Sequence, residues 1–172
     1  MKKKNSVKLV KFTKKFITQD YIGWLNNKTL MKYSENRHTS HDIKSCKKYL
    51  ESFKNKSNKF FAIIDSKNFE YVGSITAMID NKNKTADIGI LIGKGNNGYG
   101  FLAWKYMMNY LFKRKIRKIT GGCMANNKAM INIFIKSKMK FEYKKKKQFL
   151  YSKNKSVDLV VYYKFNKINS LV

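Results

Sequence analysis

The sequence predicts an α/β (α+β) fold: a mixed, mostly antiparallel sheet of six to seven strands flanked by about four helices. Three observations lead there. Segments with an apolar–polar period of two alternate with segments of helical period along all 172 residues. Three strand-like segments in a row, 60–65, 71–79 and 85–93, are joined by short polar turns, as in a meander. A helix-like segment then leads into a further strand, and such a crossover after a meander implies a mixed sheet with helices packed on its faces.

The elements follow in order. Residues 7–12 alternate apolar and basic side chains, as a strand does. Thr18 or Asp20 caps a helix running through Asn27, with Tyr21, Trp24 and Leu25 on one face. Ser40 or Asp42 caps a second helix to about Lys54, expected to bury Ile43, Cys46, Tyr49, Leu50 and Phe53; His41 reads as a residue of that helix start. The meander comes next, with turns at 66–68 and 80–84. A glycine-rich loop, Gly95-Asn96-Asn97-Gly98-Tyr99-Gly100, leads into a helix over 99–113. Phe101, Trp104, Met108, Leu111 and Phe112 form its apolar stripe, and Lys113, Arg114 and Lys115 suit its C-terminal dipole. Residues 118–124 read as a strand. Residues 127–138 read as a helix with Met130, Ile131, Phe134 and Ile135 on its apolar face. Strands 141–151 and 157–165 close the chain as a hairpin through 152–155, and the lysine run 144–147 reads as an exposed strand or turn. No repeat, linker or composition break divides this order, so one domain over 1–172 is expected.

Composition narrows the function. The formal charge is +28, from 38 basic and 10 acidic side chains. Such a charge usually points to nucleic acid, yet Arg37, Arg114 and Arg117 are the only arginines. Nucleic-acid surfaces favour arginine for bidentate contacts. Lysine, asparagine and isoleucine share AT-rich codons, and proline is absent, so drift in base composition accounts for part of the charge. Nucleic acid is therefore not the expected partner; a positive field still favours a small anionic ligand. Apolar runs are short and broken by Lys or Asn, so no membrane span is expected. The basic N-terminus lacks an apolar core, so a cytoplasmic location is expected. Cys46 and Cys123 have neither metal nor redox spacing and read as reduced thiols.

The chemistry centres on the strand–Gly loop–helix unit. Gly95, Gly98 and Gly100 let the backbone turn tightly and approach a ligand, and the amides at the helix start attract an anion. No Gly-Lys-Ser/Thr follows, so this is not a nucleotide P-loop. The strand before it belongs to a meander, which argues against a dinucleotide-binding βαβ unit.

Over nearly the full chain the pattern resembles the GNAT superfamily of N-acetyltransferases. Ala86-Asp87-Ile88-Gly89-Ile90-Leu91-Ile92-Gly93 is similar to its fourth strand. Gly95–Gly100 matches its Arg/Gln-x-x-Gly-x-Gly/Ala loop at Gly98 and Gly100. The segment from Asn127 through Met130, Phe134, Lys136 and Lys138 to Met139 resembles its Asn-x-x-Ser-x-x-x-Tyr-x-Lys-x-Gly-Phe motif. The opening segments 21–26 and 33–38 are similar to the ribosomal-protein-acetyltransferase branch, and within it to enzymes that acetylate amino sugars for surface glycans.

The resemblance implies acetyl-CoA as donor and a small-molecule amine as acceptor. That amine would belong to an anionic, nucleotide-linked amino sugar and attack the thioester directly. It implies that Ile90, Leu91 and Ile92 pair with the pantetheine arm. Gly95, Asn96, Asn97, Gly98, Tyr99 and Gly100 would hold the pyrophosphate, with Asn127, Phe134 and Lys136 also at the coenzyme. Asp87, Glu35 and His38 are the candidate bases, and Glu35, Arg37 and His38 the candidate acceptor contacts. Three departures stand out: Gly95 where Arg or Gln is usual, Lys138 where a helix-ending glycine is usual, and Phe134 where a proton-donating tyrosine is usual. Protein N-terminal acetylation and coenzyme binding without catalysis stay open as alternatives. The oligomeric state also stays open, a homodimer among the options.

Overall fold

The chain enters through β1 (Val7–Lys11) and alternates strands and helices in the expected order. The computed structural model describes residues 6–54, 57–95 and 98–167. Among these lie α1 (Gln19–Asn26), α2 (Ile43–Glu51), β2 (Lys59–Asp65), β3 (Tyr71–Asp80), β4 (Thr85–Ile92), α3 (Tyr99–Lys113), β5 (Lys118–Met124), α4 (Lys128–Lys136), β6 (Lys140–Ser152) and β7 (Lys155–Phe165). Short 3-10 turns occupy Lys14–Phe16 and Glu35–His38. The seven strands form one mixed sheet in the order β1-β2-β3-β4-β5-β7-β6. Only β4 and β5 run parallel; every other neighbouring pair is antiparallel.

The sheet has an apolar cluster on each face. Along β2, Phe61 and Ile63 turn to one cluster, while Phe60, Ala62 and Ile64 turn to the other, as period-two geometry requires. The first cluster holds α3 and α4 against the sheet through Ala103, Trp104, Met107, Leu111 and Phe134. The second holds α1 and α2 through Tyr21, Trp24, Leu25 and Cys46. Trp104 and Phe134 are both fully buried, and burying a large apolar side chain contributes roughly 1.5–3 kcal/mol.

Helix starts follow their expected caps. Thr18 caps α1, its hydroxyl accepting from the Tyr21 N–H at 3.2 Å. Asp42 caps α2 in a reciprocal capping box with Ser45. Helix faces are narrower than the periodicity implied. Ile43 and Tyr49 of α2 and Ile135 of α4 are exposed, because each helix touches the sheet along a single stripe. On α3, Phe101 is only half-buried, and the buried face runs through Ala103, Trp104, Met107 and Met108.

The end of α4 departs from expectation. A helix-ending glycine is usual where Lys138 stands, yet Lys138 takes the left-handed conformation itself, with φ 55°. The Met139 N–H donates to the Phe134 carbonyl at 3.0 Å, and the Lys138 N–H donates to the Ile135 carbonyl at 2.9 Å. That bonding is a Schellman closure around a lysine. A side chain in this conformation costs about 1–2 kcal/mol. Lys138→Gly is therefore expected to stabilise the fold, by up to about 1 kcal/mol once the greater unfolded-state freedom of glycine is subtracted. Equal or lower stability in chemical denaturation would show that Lys138 carries no strain.

Candidate functional site

The parallel pairing of β4 with β5 covers only Thr85–Lys118, Ala86–Ile119 and Asp87–Thr120. Beyond Asp87, β4 continues along β3 as far as Ile92–Gly73. Beyond Thr120, β5 continues along β7 as far as Met124–Leu159. The sheet therefore splits into a wedge between residues 88–92 and residues 121–124. Its walls are strand edges not paired with each other, and their N–H and C=O groups need a partner.

Both walls run into helix starts. β4 leads through the glycine loop into α3, and β5 leads through a short turn into α4. Gly98 caps α3 with φ 75°, a left-handed conformation that glycine takes without strain, and it lends no side-chain cap. Gly95 is also left-handed, at φ 69°. Asn127 caps α4, its Oδ1 accepting from the Met130 N–H at 3.1 Å. Neither helix has an acidic residue in its first turn, so both positive dipole ends are uncompensated by side chains. The two starts are close together. A Cβ on Gly100 would lie 3.0 Å from Ile133 Cδ1 of α4 and 3.6 Å from Ile92 Cγ1 of β4. The mouth of the wedge is thus suited to an anion and its length to an extended chain with amides.

The glycine loop is held from behind. The N–H groups of Gly93 and Lys94 both donate to the Val72 carbonyl, at 2.9 and 3.2 Å. Lys94 Nζ meets Glu70 at 2.9 Å and Asp20 at 3.5 Å. The Trp24 ring lies on Gly93, where a Cβ would fall 1.9 Å from Cδ2. Buried Tyr99, first residue of α3, donates its hydroxyl to buried Asp65 at 2.5 Å. Asp65 also accepts from the Lys67 N–H at 2.7 Å. These bonds hold the Asp65 carboxyl below the usual carboxylate range, the Tyr99 hydroxyl being the largest cause. Sequence reading passed over Asp65, because its strand-end position looks like an ordinary turn acid.

The expected site residues are distributed as follows. Ile90, Leu91 and Ile92 lie on the β4 wall. Gly95, Gly98, Tyr99 and Gly100 form the described part of the loop, and Asn96 and Asn97 lie outside the described residues. Lys136 is exposed at the end of α4. Phe134 is enclosed by protein: its ring stacks on Tyr162 at 4.9 Å, meets Trp104 edge-on at 5.4 Å, and lies within 2.9 Å of where a Gly121 Cβ would stand. Arg37 braces the fold. Its guanidinium donates to the Ser34 carbonyl, to Glu35, and to the Leu150 carbonyl near the end of β6, each at 2.8 Å. Glu35 and His38 are exposed beside it. Among the described residues, no hydrogen bond or ion pair joins that cluster to Asp87.

Asp87 stands at the apex of the wedge, in the last β4–β5 pair. It accepts a 2.7 Å hydrogen bond from the Thr120 hydroxyl. The residue as a whole is exposed, yet neighbouring groups crowd its carboxyl. Lost hydration raises its pKa above the ordinary carboxylate range, and the Thr120 bond pulls it back only in part. Among the described residues, every other carboxylate meets a cation or a backbone N–H. Asp20 and Glu70 meet Lys94, Glu35 meets Arg37, Glu51 meets Lys54, Glu142 meets Lys118 and Asp158 meets Lys144. Asp42, Asp65 and Asp80 accept from backbone amides. Among the described residues, Asp87 alone accepts only a hydroxyl in a chain of formal charge +28.

Two cavities lie away from the wedge. One of about 610 Å³ is bounded by Ile22, His41 and Ile43, and one of about 470 Å³ by Phe12, Phe53 and Tyr110. Neither contains Asp87 or the glycine loop. Among the described residues, no group of His, Cys, Asp and Glu is arranged to hold a metal ion, and no helix is long and apolar enough to cross a membrane.

Known proteins share this fold. Residues 8–140 match the family model described as the acetyltransferase (GNAT) domain. No curated protein matches the chain. A GNAT-family acetyltransferase from Bacillus anthracis is 21% identical, with a TM-score of 0.78 over 95% of this chain and 97% of that one. A spermidine N-acetyltransferase from Vibrio cholerae, solved with CoA and spermine, is 15% identical, with a TM-score of 0.81 over 94% and 96%. A ribosomal L7/L12 alpha-N-protein acetyltransferase, solved with coenzyme A, is 15% identical, with a TM-score of 0.80 over 93% and 94%. At these identities the three structures establish a common fold.

Removing the Tyr99 hydroxyl tests the support behind the loop. The Asp65 carboxyl is held below its unfolded value of about 3.9. Its stabilising contribution is therefore present above about pH 4 and lost as pH falls through the folded-state value. Tyr99→Phe is expected to lower the melting temperature at pH 7, with the gap from the parent closing toward pH 2. A gap that stays constant with pH would assign the loss to packing.

Proposed function

The chain belongs to the GNAT acetyltransferase family, and from that premise we propose that it transfers acetyl from acetyl-CoA to a primary amine, with Asp87 as the proton acceptor. The observation that carries this reading is the placement of Asp87. Among the described residues it is the one carboxylate held by a hydroxyl alone, at the apex of a wedge whose open strand edges suit a pantetheine arm.

The coenzyme fits by its chemistry. Its pantetheine amides would bond to the free edge of Ile90, Leu91 and Ile92 as an added strand. Its pyrophosphate would lie at the start of α3, on the amides of the loop from Gly95 through Asn96, Asn97, Gly98 and Tyr99 to Gly100. Asn127 and exposed Lys136 would add a donor and a cation from α4.

The reaction requires a neutral amine. Asp87, directly or through one water, takes a proton from the amine as its nitrogen attacks the thioester carbonyl. A backbone N–H on the open β4 edge stabilises the oxyanion. The carbon–sulfur bond then breaks and the thiolate leaves, to be protonated by water or by the proton that Asp87 received. Phe134 supplies no acid in this scheme; enclosed by Trp104 and Tyr162, it holds α4 against the sheet. The raised pKa of Asp87 suits a group that must accept a proton near neutrality.

For the acceptor we propose a nucleotide-linked amino sugar. The similarity of segments 21–26 and 33–38 to amino-sugar enzymes supports it. So does electrostatics: a chain of formal charge +28 attracts an anionic acceptor and repels a polycation such as spermidine. Glu35 and His38, exposed beside Arg37, would contact that acceptor.

The test is thioester consumption against nucleotide amino sugars, polyamines and peptides. Asp87→Asn is expected to lower kcat roughly 10²–10⁴-fold. Parent and variant should gain equal thermal stability from acetyl-CoA, about 2.7 kcal/mol at a hundredfold excess over Kd. Full activity in Asp87→Asn would remove it as the base. A coenzyme-induced shift with no amine acetylated would favour binding without catalysis.

A further inference from the structure

Strand register puts Met78, Asp87, Thr120 and Tyr163 in one row across β3, β4, β5 and β7. Residues directly opposite in a sheet share a face, so this row shares the face of Leu91, which packs with α1 and α2. Within the row the Thr120 hydroxyl has two acceptors in reach, Asp87 Oδ2 at 2.7 Å and the Ala86 carbonyl at the longer 3.5 Å, and the shorter contact takes its proton. An ionised carboxylate can only accept, so the threonine proton is directed at Asp87 and not the reverse. The carboxyl torsion of an aspartate is soft, and this bond is what limits it at the point where the two strands part.

We infer that Thr120 is a positioning residue for the reaction: it fixes the Asp87 carboxylate through Oδ2 and leaves Oδ1 to face the acceptor amine. This rests on Asp87 being the base. Thr120 was not a candidate from the sequence, since only the three-pair register between β4 and β5 brings it beside Asp87.

The surroundings leave the threonine as the polar partner of Asp87. From β3 the opposite residue is uncharged Met78. Also on β3, the Thr76 hydroxyl donates to the Gly89 carbonyl at 3.4 Å. On β5, Lys118 faces the same side but is paired with Glu142 of β6. On β7, Tyr163 lies beyond Thr120 and under the Lys118 ammonium, 5.4 Å from its ring centre. Hydration loss and the Thr120 bond are accordingly the two influences on the Asp87 carboxyl.

The experiment compares the parent with Thr120→Val, Thr120→Ser and Asp87→Asn. The Asp87 side-chain carboxyl is titrated by carbon-13 NMR, and kcat/KM is measured across pH with the best acceptor. A hydrogen bond to the ionised form lowers a carboxyl pKa, so Thr120→Val should move the Asp87 titration, and the acid limb of kcat/KM, up by about one pH unit. On the high-pH plateau kcat should fall about tenfold, less than the roughly 10²-fold that a full 1 Å misplacement can cost. Thr120→Ser should restore the parent titration and rate. Coenzyme-induced thermal shifts should match in all four proteins. An unmoved titration in Thr120→Val, or a serine variant behaving like the valine one, would overturn the role of Thr120 while leaving Asp87 as base. Full activity in Asp87→Asn would overturn both assignments.

Discussion

Three residue pairs of parallel sheet, and no more, join β4 to β5. Everything else at the site depends on that limit. A longer ladder would satisfy the backbone edges of residues 88–92 and 121–124 and close the wedge. Each wall stays in the sheet through its far edge, β4 along β3 and β5 along β7, so the two can part without leaving it. Trp104 and Phe134 crowd the Gly121 position from the helix side, so β5 takes a residue without a side chain as it turns away. The open edges are tolerable because water or an extended ligand can bond to them.

Rigidity behind the glycine loop complements this opening. A loop rich in glycine loses much conformational freedom when it binds. Here Lys94, Trp24 and the Tyr99–Asp65 bond fix its two ends before any ligand arrives. Preorganisation of this kind raises affinity by lowering the ordering cost. The electrostatics follow a related pattern. In a strongly cationic chain, carboxylates are drawn to cations and backbone amides, and Asp87 stands apart because the sheet apex admits only a threonine hydroxyl.

Element order was legible in the sequence because periodicity, caps and polar turns agreed. Thr18 and Asp42 cap where hydrogen-bonding side chains precede apolar periods. The glycine loop was legible because glycine, at Gly95 and Gly98, takes left-handed positions without strain. The end of α4 was not, since lysine at 138 gives no sign that it adopts the conformation glycine usually supplies. Burial of Ile43, Tyr49 and Ile135 was overcalled: an apolar helix face does not reveal how wide the contact with the sheet is. Arg37 is read from the sequence as an acceptor contact; its further bond to the Leu150 carbonyl, 113 positions away, is a long-range fact that local pattern does not carry. Thr120 and Asp65 were missed for the same reason, as their partners come from other strands and helices.

The account stands or falls on acetyl-CoA occupying the wedge, and amide hydrogen exchange with and without acetyl-CoA addresses that directly. Slowed exchange should appear at residues 88–92 and at the start of α3, where strand-edge and helix-end amides gain acceptors. The walls of the 610 Å³ cavity near His41 and Ile43 should exchange as before. Protection at that cavity, with residues 88–92 unchanged at saturating coenzyme, would contradict the account.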